Sequence, residues 1–208
     1  NGTLNLLNLS VKDGVKRFIF ASSASVYGDL NPPLREESQP KPMSPYAVSK
    51  LSGEQYCKVF HKIYGLETMC LRYFNVYGPR QRKGPYSSVI SNFINSLRKD
   101  RPPMIFGDGL QTRDFIYVSD VVEANLIALK SEEGIGEVFN IATGKPITIN
   151  ELVKTLIELK GKSSLRPIYA GPRKGDIKHS YADVDKAERI LKFKARVSLE
   201  EGLKHLLF

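Results

Sequence analysis

Tyr46 and Lys50 stand four residues apart in Ser44-Pro45-Tyr46-Ala47-Val48-Ser49-Lys50. On a helix that spacing puts a phenol and an ammonium on one face, one turn apart. The helix itself is well signalled: Ser44 is a good N-cap, Pro45 suits the first helical position, and Gly65 is a C-terminal stop. A nearby cation favours the phenolate, more so in a partly dry site. It moves a tyrosine, which ordinarily titrates near ~10, toward the range where an acid/base works well. An isolated Tyr-x-x-x-Lys is more often a surface pair than a site, so the surrounding elements decide.

Two apolar runs flank that helix. Lys16-Arg17-Phe18-Ile19-Phe20-Ala21-Ser22-Ser23 reads as a buried strand ending in small hydroxyls, with Ala24-Ser25-Val26-Tyr27-Gly28 beyond it. A second strand is expected from Leu66 to Phe74, followed by Asn75-Val76-Tyr77-Gly78-Pro79-Arg80. Strand, helix, strand is a βαβ unit whose strands should be parallel. Ligands of such sheets bind beyond the carboxyl ends of the strands. Ser23, Tyr46 and Asn75 all fall near that edge.

The remaining chain keeps alternating. Residues 3–12 read as the end of a helix, with Asp13-Gly14 turning the chain. Prolines 32, 33, 40, 42 and 45 make 29–45 a surface loop, and Tyr77 to Tyr86 reads as another. Helical periodicity runs from Ser87 to Lys99. Short strands are expected at Met104–Phe106, Phe115–Val118 and Val138–Ala142. Ser119 or Asp120 should cap a helix reaching Lys130. Thr148-Ile149-Asn150-Glu151 and Ser198-Leu199-Glu200-Glu201 are capping boxes for two further helices. This alternation is α/β.

Composition narrows the partners. The net charge of +9 raises nucleic acid as a possibility, but the basic residues are scattered and no nucleic-acid-binding motif accompanies them. No nucleic-acid role is expected. No stretch approaches the ~20 apolar residues of a membrane span, and no signal-peptide pattern is present. Cys57 and Cys70 lack metal-like spacing, and reduced thiols point to a cytoplasmic protein.

The strand ending in Ser22-Ser23, the Tyr46/Lys50 helix, Arg72-Tyr73-Phe74-Asn75, Thr112-Arg113-Asp114-Phe115-Ile116 and Arg173-Lys174-Gly175-Asp176 together resemble the extended short-chain dehydrogenase/reductase family. The closest likeness is to its NAD-dependent nucleotide-sugar epimerases of the UDP-glucose (UDP-galactose) 4-epimerase type. The resemblance implies a partial Rossmann fold, a doubly wound parallel sheet, with a smaller α/β substrate-binding lobe. It implies that residues 1–76 and 114–142 belong to the NAD-binding part, and 77–113 and 143–208 to the substrate lobe. The family opens with a Gly-rich turn for NAD that follows a strand; no such turn occurs in this sequence, which looks like an epimerase without its first portion. Activity of the 208 residues alone is therefore not expected.

The resemblance also assigns roles. In the family, the tyrosine takes the proton from the sugar 4-hydroxyl while carbon 4 gives hydride to NAD; the flat 4-keto sugar turns over and hydride returns to its other face. Tyr46 matches the acid/base. Lys50 matches the residue that lowers the tyrosine pKa and bonds the nicotinamide ribose, Ser23 the hydroxyl that bonds the same sugar oxygen, and Tyr73 a residue beside the nicotinamide. Asn75 and Arg113 match residues that meet the diphosphate. Arg173 meets the diphosphate and Asp176 the uridine ribose, while Phe106 marks the segment that meets the uracil. Four residues past Asp176 comes Ser180, where a tyrosine resembles the version restricted to glucose and galactose. A small residue there resembles the version that also admits N-acetylhexosamines. A UDP-sugar substrate and a homodimer are implied as partners.

Two other readings compete. Dehydratases and decarboxylases of similar fold carry carboxylates just after the catalytic hydroxyl, where this chain has Ala24 and Ser25; neither can act as a carboxylate acid or base. A non-catalytic truncated remnant is the alternative from a different class.

Overall fold

The computed structural model describes residues 1–81, 88–173 and 175–207. In chain order the elements are α1 (Gly2–Lys12), β1 (Arg17–Ser23), a 3₁₀ turn over Ala24–Tyr27, α2 (Pro45–Tyr64), β2 (Glu67–Tyr73) and β3 (Asn75–Tyr77). There follow α3 (Val89–Arg98), β4 (Met104–Phe106), β5 (Thr112–Tyr117), α4 (Val118–Lys130), β6 (Val138–Ile141) and β7 (Pro146–Thr148). The chain ends with α5 (Ile149–Leu159), β8 (Ile168–Ala170), β9 (His179–Ser180), a π-helical turn over Ala187–Leu191 and α6 (Leu199–Leu207).

The βαβ unit forms as its residues require. The Ser44 hydroxyl accepts the Ala47 N–H at 3.1 Å, and Gly65 ends α2 at φ 70°, the left-handed region that favours glycine. β1 and β2 are parallel with Ser23 opposite Tyr73, and β6 joins β2 on its other side, also parallel. Alternation along the strands then sorts the faces. Phe20 and Cys70 pack with Leu7 of α1 and with Cys57 and Phe60 of α2. Met69 and Leu71 pack with Val121 and Ala124 of α4. Helices thus cover both faces of a parallel sheet, the doubly wound arrangement.

A second core gathers Phe93 and Leu97 of α3, Leu152 and Leu156 of α5, and Leu203 of α6. β5 serves both: Phe115 faces this core and Ile116 faces the α4 cluster. β5 lies between β3 and β7, with β9 pairing parallel beside it, and β4 pairs with β8.

Several expectations are corrected. Asp120 does not cap α4, which begins at Val118 with Tyr117 as its cap. Its buried carboxylate instead accepts the N–H groups of Arg196 at 3.2 Å and Val197 at 3.1 Å. The proline-rich stretch is no simple surface loop, because Leu34 inserts beside Val26, Tyr27 and Phe74 and bridges to Ala182. Tyr77, expected to begin a loop, instead ends β3 and is buried. The expected helix start at Ser87 and the 82–86 part of the expected loop lie outside the described residues. No helix among the described residues is long and apolar enough to cross a membrane.

Gly53 sets how closely α2 approaches the sheet. A Cβ at that position would lie 2.2 Å from Cζ of the buried Phe20. Gly53→Ala should destabilise the fold by about 1–3 kcal/mol through overpacking, outweighing the ~1 kcal/mol that alanine gains in helix propensity. Denaturant melts measure the difference, and an unchanged or raised midpoint would show that the Phe20 ring gives way.

Candidate active site

One group of side chains gathers at the carboxyl end of β1. Tyr46, in the first turn of α2, is 56% exposed, and its hydroxyl makes no hydrogen bond among the described residues. The Lys50 ammonium lies 5.6 Å from the Tyr46 ring centre and donates to the Ala21 carbonyl at 2.8 Å. That bond anchors Lys50 two residues before Ser23. Ser23 ends β1, and its hydroxyl accepts the Ser25 N–H at 3.2 Å. Beyond Tyr27 the chain turns at Gly28, φ 63°, where a Cβ would meet the Lys41 carbonyl oxygen at 2.0 Å. Only glycine lets the proline-rich segment lie so close.

Tyr73 sits beside Ser23 across the β1–β2 ladder. Its hydroxyl donates to Asn125 Oδ1 at 2.9 Å, and burial pushes its pKa up. The ring is therefore held toward α4, and its hydroxyl is engaged there.

A second group lines a cavity of about 400 Å³. Asn75, Phe106, Arg113, Arg173 and Asp176 all border it, although they come from four separate stretches of chain. Within it, Arg113 Nη2 donates to Asp176 Oδ1 at 2.6 Å, and Arg113 Nη1 donates to the Thr112 carbonyl at 2.8 Å. Burial works to lower the Arg113 pKa, and Asp176 opposes it. The Arg173 guanidinium lies over the Phe106 ring, 4.0 Å from its centre, a cation–π geometry. Lys174, between Arg173 and Gly175, lies outside the described residues. Ser180 does not line the cavity; it pairs with Arg113 through the β5–β9 ladder. Tyr73 and Asn75, two residues apart, connect the two groups along the chain.

Gln111 escaped the sequence reading, which treats Ser25 only as a position without a carboxylate. Gln111 Nε2 donates to the Phe106 carbonyl at 2.8 Å and steadies that segment from inside the cavity; nothing in its local pattern signals this. Ser25 carries a buried hydroxyl with no hydrogen-bond partner among the described residues. Its place two residues beyond Ser23 was the available signal.

The arrangement joins a hydroxyl and ammonium edge suited to moving a proton with a cavity whose two arginines suit an anionic group. A family model described as "NAD dependent epimerase/dehydratase family" matches residues 1–142. The putative UDP-glucose 4-epimerase of Methanocaldococcus jannaschii is 43% identical over 211 residues, covering 99% of this chain and 67% of that protein. Among solved structures, the UDP-glucose 4-epimerase of Thermotoga maritima with UDP-glucose superposes with a TM-score of 0.94 at 45% identity, covering 99% of this chain and 67% of that one. The UDP-N-acetylglucosamine 4-epimerase of Methanobrevibacter ruminantium, in complex with UDP-N-acetylmuramic acid, also gives 0.94, at 41% identity, covering 99% and 66%. The chain thus spans about two thirds of the length of each.

An unpartnered buried hydroxyl costs about 1–3 kcal/mol of desolvation. Ser25→Ala should therefore leave the folding midpoint unchanged or raise it. A loss of stability of more than about 1 kcal/mol in a denaturant melt would show that the hydroxyl has a partner in the folded chain.

Proposed function

The chain belongs to the NAD dependent epimerase/dehydratase family, and we propose that it forms the proton-moving and substrate-holding part of a UDP-sugar 4-epimerase. The observation that carries this reading is the cavity: Asn75, Phe106, Arg113, Arg173 and Asp176 converge on it from distant stretches, and Asn75 lies two residues past Tyr73, which pairs with Ser23 at the end of β1. Ligand sites of open parallel sheets lie there.

Tyr46 then holds and returns the proton of the sugar 4-oxygen, with Ser23 bonding the same oxygen. Arg113 and Arg173 take the diphosphate, Asn75 assists them, Asp176 takes the uridine ribose, and the Phe106 segment meets the uracil. The residues present fit one end of NAD. Lys50 spends one donor on Ala21 and keeps two, and the exposed Tyr46 stands beside it, so the pair suits the hydroxyls of a nicotinamide ribose. Tyr73 borders that end across the ladder. When bound, NAD supplies the hydride acceptor and donor at sugar carbon 4. A dehydratase or decarboxylase reading lacks its acid and base, since Ala24 and Ser25 stand where those carboxylates belong. The buried, free Cys57 and Cys70 suit the cytoplasm. Exposed Leu6 and Leu9 on α1, with Tyr56, Val59 and Ile63 on the adjacent α2, form an apolar face that suits a homodimer.

Two measurements on the complete protein test the assignment. Tyr46→Phe should lower kcat about 10²–10⁴-fold, the usual worth of a positioned acid/base, while KM for the UDP-sugar stays near its starting value. Near-normal turnover would remove Tyr46 from the mechanism. Substrate breadth is assigned to Ser180 by the family resemblance, although it pairs with Arg113 outside the cavity lining; a small side chain there would leave room for an acetamido group. Both the N-acetylhexosamine pair and the unsubstituted pair should interconvert, and Ser180→Tyr should abolish only the former. Equal activity of that variant on both pairs would show that residue 180 does not border the sugar.

A further inference from the structure

Tyr46 and Lys50 are the first two members of a longer stripe. Glu54 follows at the same spacing of four, so all three share one face of α2. Each of the last two is bonded to the end of β1: Lys50 to the Ala21 carbonyl, and Glu54 by accepting the Ser22 hydroxyl at 2.5 Å. Ser22 lies opposite Arg72 across the β1–β2 ladder. Arg72 grips the same carboxylate with two bonds, Nε to Oε1 at 2.9 Å and Nη2 to Oε2 at 2.7 Å. The two side chains are 4% and 2% exposed.

From this geometry we propose that Glu54 is a positioning residue: its paired, planar grip on Arg72 fixes the rotation of α2 on the sheet and so places Tyr46 and Lys50 at the end of β1. The proposal rests on the reading that these two residues act in turnover. A buried ion pair is weak evidence of stability, since apolar residues of similar volume often serve as well or better. What the forked contact adds is direction. The height of the helix is already set where Gly53 meets Phe20. An apolar contact at 54 would leave the helix free to roll, and the fork does not. A roll of ~20° carries an atom ~6 Å from the helix axis through about 2 Å, whereas a misplacement of ~1 Å can lower a rate about 10²-fold. The groups facing Arg72 reinforce the arrangement. The Tyr27 ring stacks on Arg72 at 4.6 Å, and Arg72 Nη1 reaches the Glu36 carbonyl at 3.5 Å. Because Tyr27 ends the turn that begins after Ser23, one ion pair orients both sides of the acid/base edge.

The test compares Glu54→Gln with the double variant Glu54→Met/Arg72→Met in the complete protein. Glu54→Gln leaves Arg72 without its charge partner, so both stability and kcat should fall, kcat by about 10-fold or more. KM for the UDP-sugar should stay within about twofold, because the cavity residues stand on other elements. The double variant should regain stability and leave kcat low. Its crystal structure should show α2 rolled, with the bond from Lys50 to Ala21 broken. A purely structural role predicts that kcat recovers together with stability, and that result overturns the proposal. So does a double variant in which Lys50 keeps its Ala21 bond, whatever its kcat. If the double variant does not fold, Glu54→Gln decides alone: a kcat per folded molecule equal to wild type overturns the proposal. Tyr46→Phe, run in parallel, reports separately on the reading beneath it.

Discussion

A carboxylate and a guanidinium, both almost removed from water, meet where α2 crosses the strands. Burial alone would lower the Arg72 pKa; the hydrogen bonds and charge of Glu54, together with Tyr27, override it and hold that pKa above its ordinary value. Neither partner could occupy the place without the other. The contact therefore selects one face of α2, one rotation and one pairing of β1 with β2. The apolar residues of α2 only need to be somewhere inside. This pair needs a particular atom opposite a particular atom, and the acid/base edge inherits that demand.

Two buried aspartates settle the rest of the topology. The Asp114 carboxylate accepts the Thr143 N–H and hydroxyl at 2.9 and 2.6 Å, the Gly144 N–H at 2.9 Å and the Ala182 N–H at 3.3 Å. Burial pushes its pKa up, and these bonds oppose the shift. Asp120 does the same kind of work for residues 196–197. Both gather returning backbone toward β5 and α4, where N–H groups would otherwise be unpaired in the interior. Asp114 also fixes the backbone next to Arg113, so the cavity arginine stands on an anchored strand.

The Rossmann-type βαβ unit was legible because its signals are local. Ser44, Pro45 and Gly65 mark the ends of α2 by chain chemistry alone, and the apolar runs on either side have strand length. The Thr148–Glu151 capping box likewise forms as its residues suggest. What escaped depends on distant partners. β7, β8 and β9 span two or three residues each and exist only through pairing. Asp120 reads as a helix cap until residues 196–197 arrive to claim it. Leu34 looks like part of an exposed loop until Ala182 lies beside it. Glu54 repeated a visible spacing, yet its role appeared only once Arg72 and Ser22 stood opposite.

Within the cavity, Arg113 is already engaged by Asp176, and Arg173 by the face of Phe106. Both cations thus already have a partner inside the chain, while two guanidinium groups against one carboxylate leave the described lining with a net positive charge. On the proposed assignment, a diphosphate would compete for one arginine with the Asp176 carboxylate and for the other with the Phe106 ring. Measured affinity is then the difference between two sets of contacts, not the strength of one. On the same assignment, Asp176 and Phe106 would stand ready to take the arginines back, so the rivalry that weakens binding would also favour release.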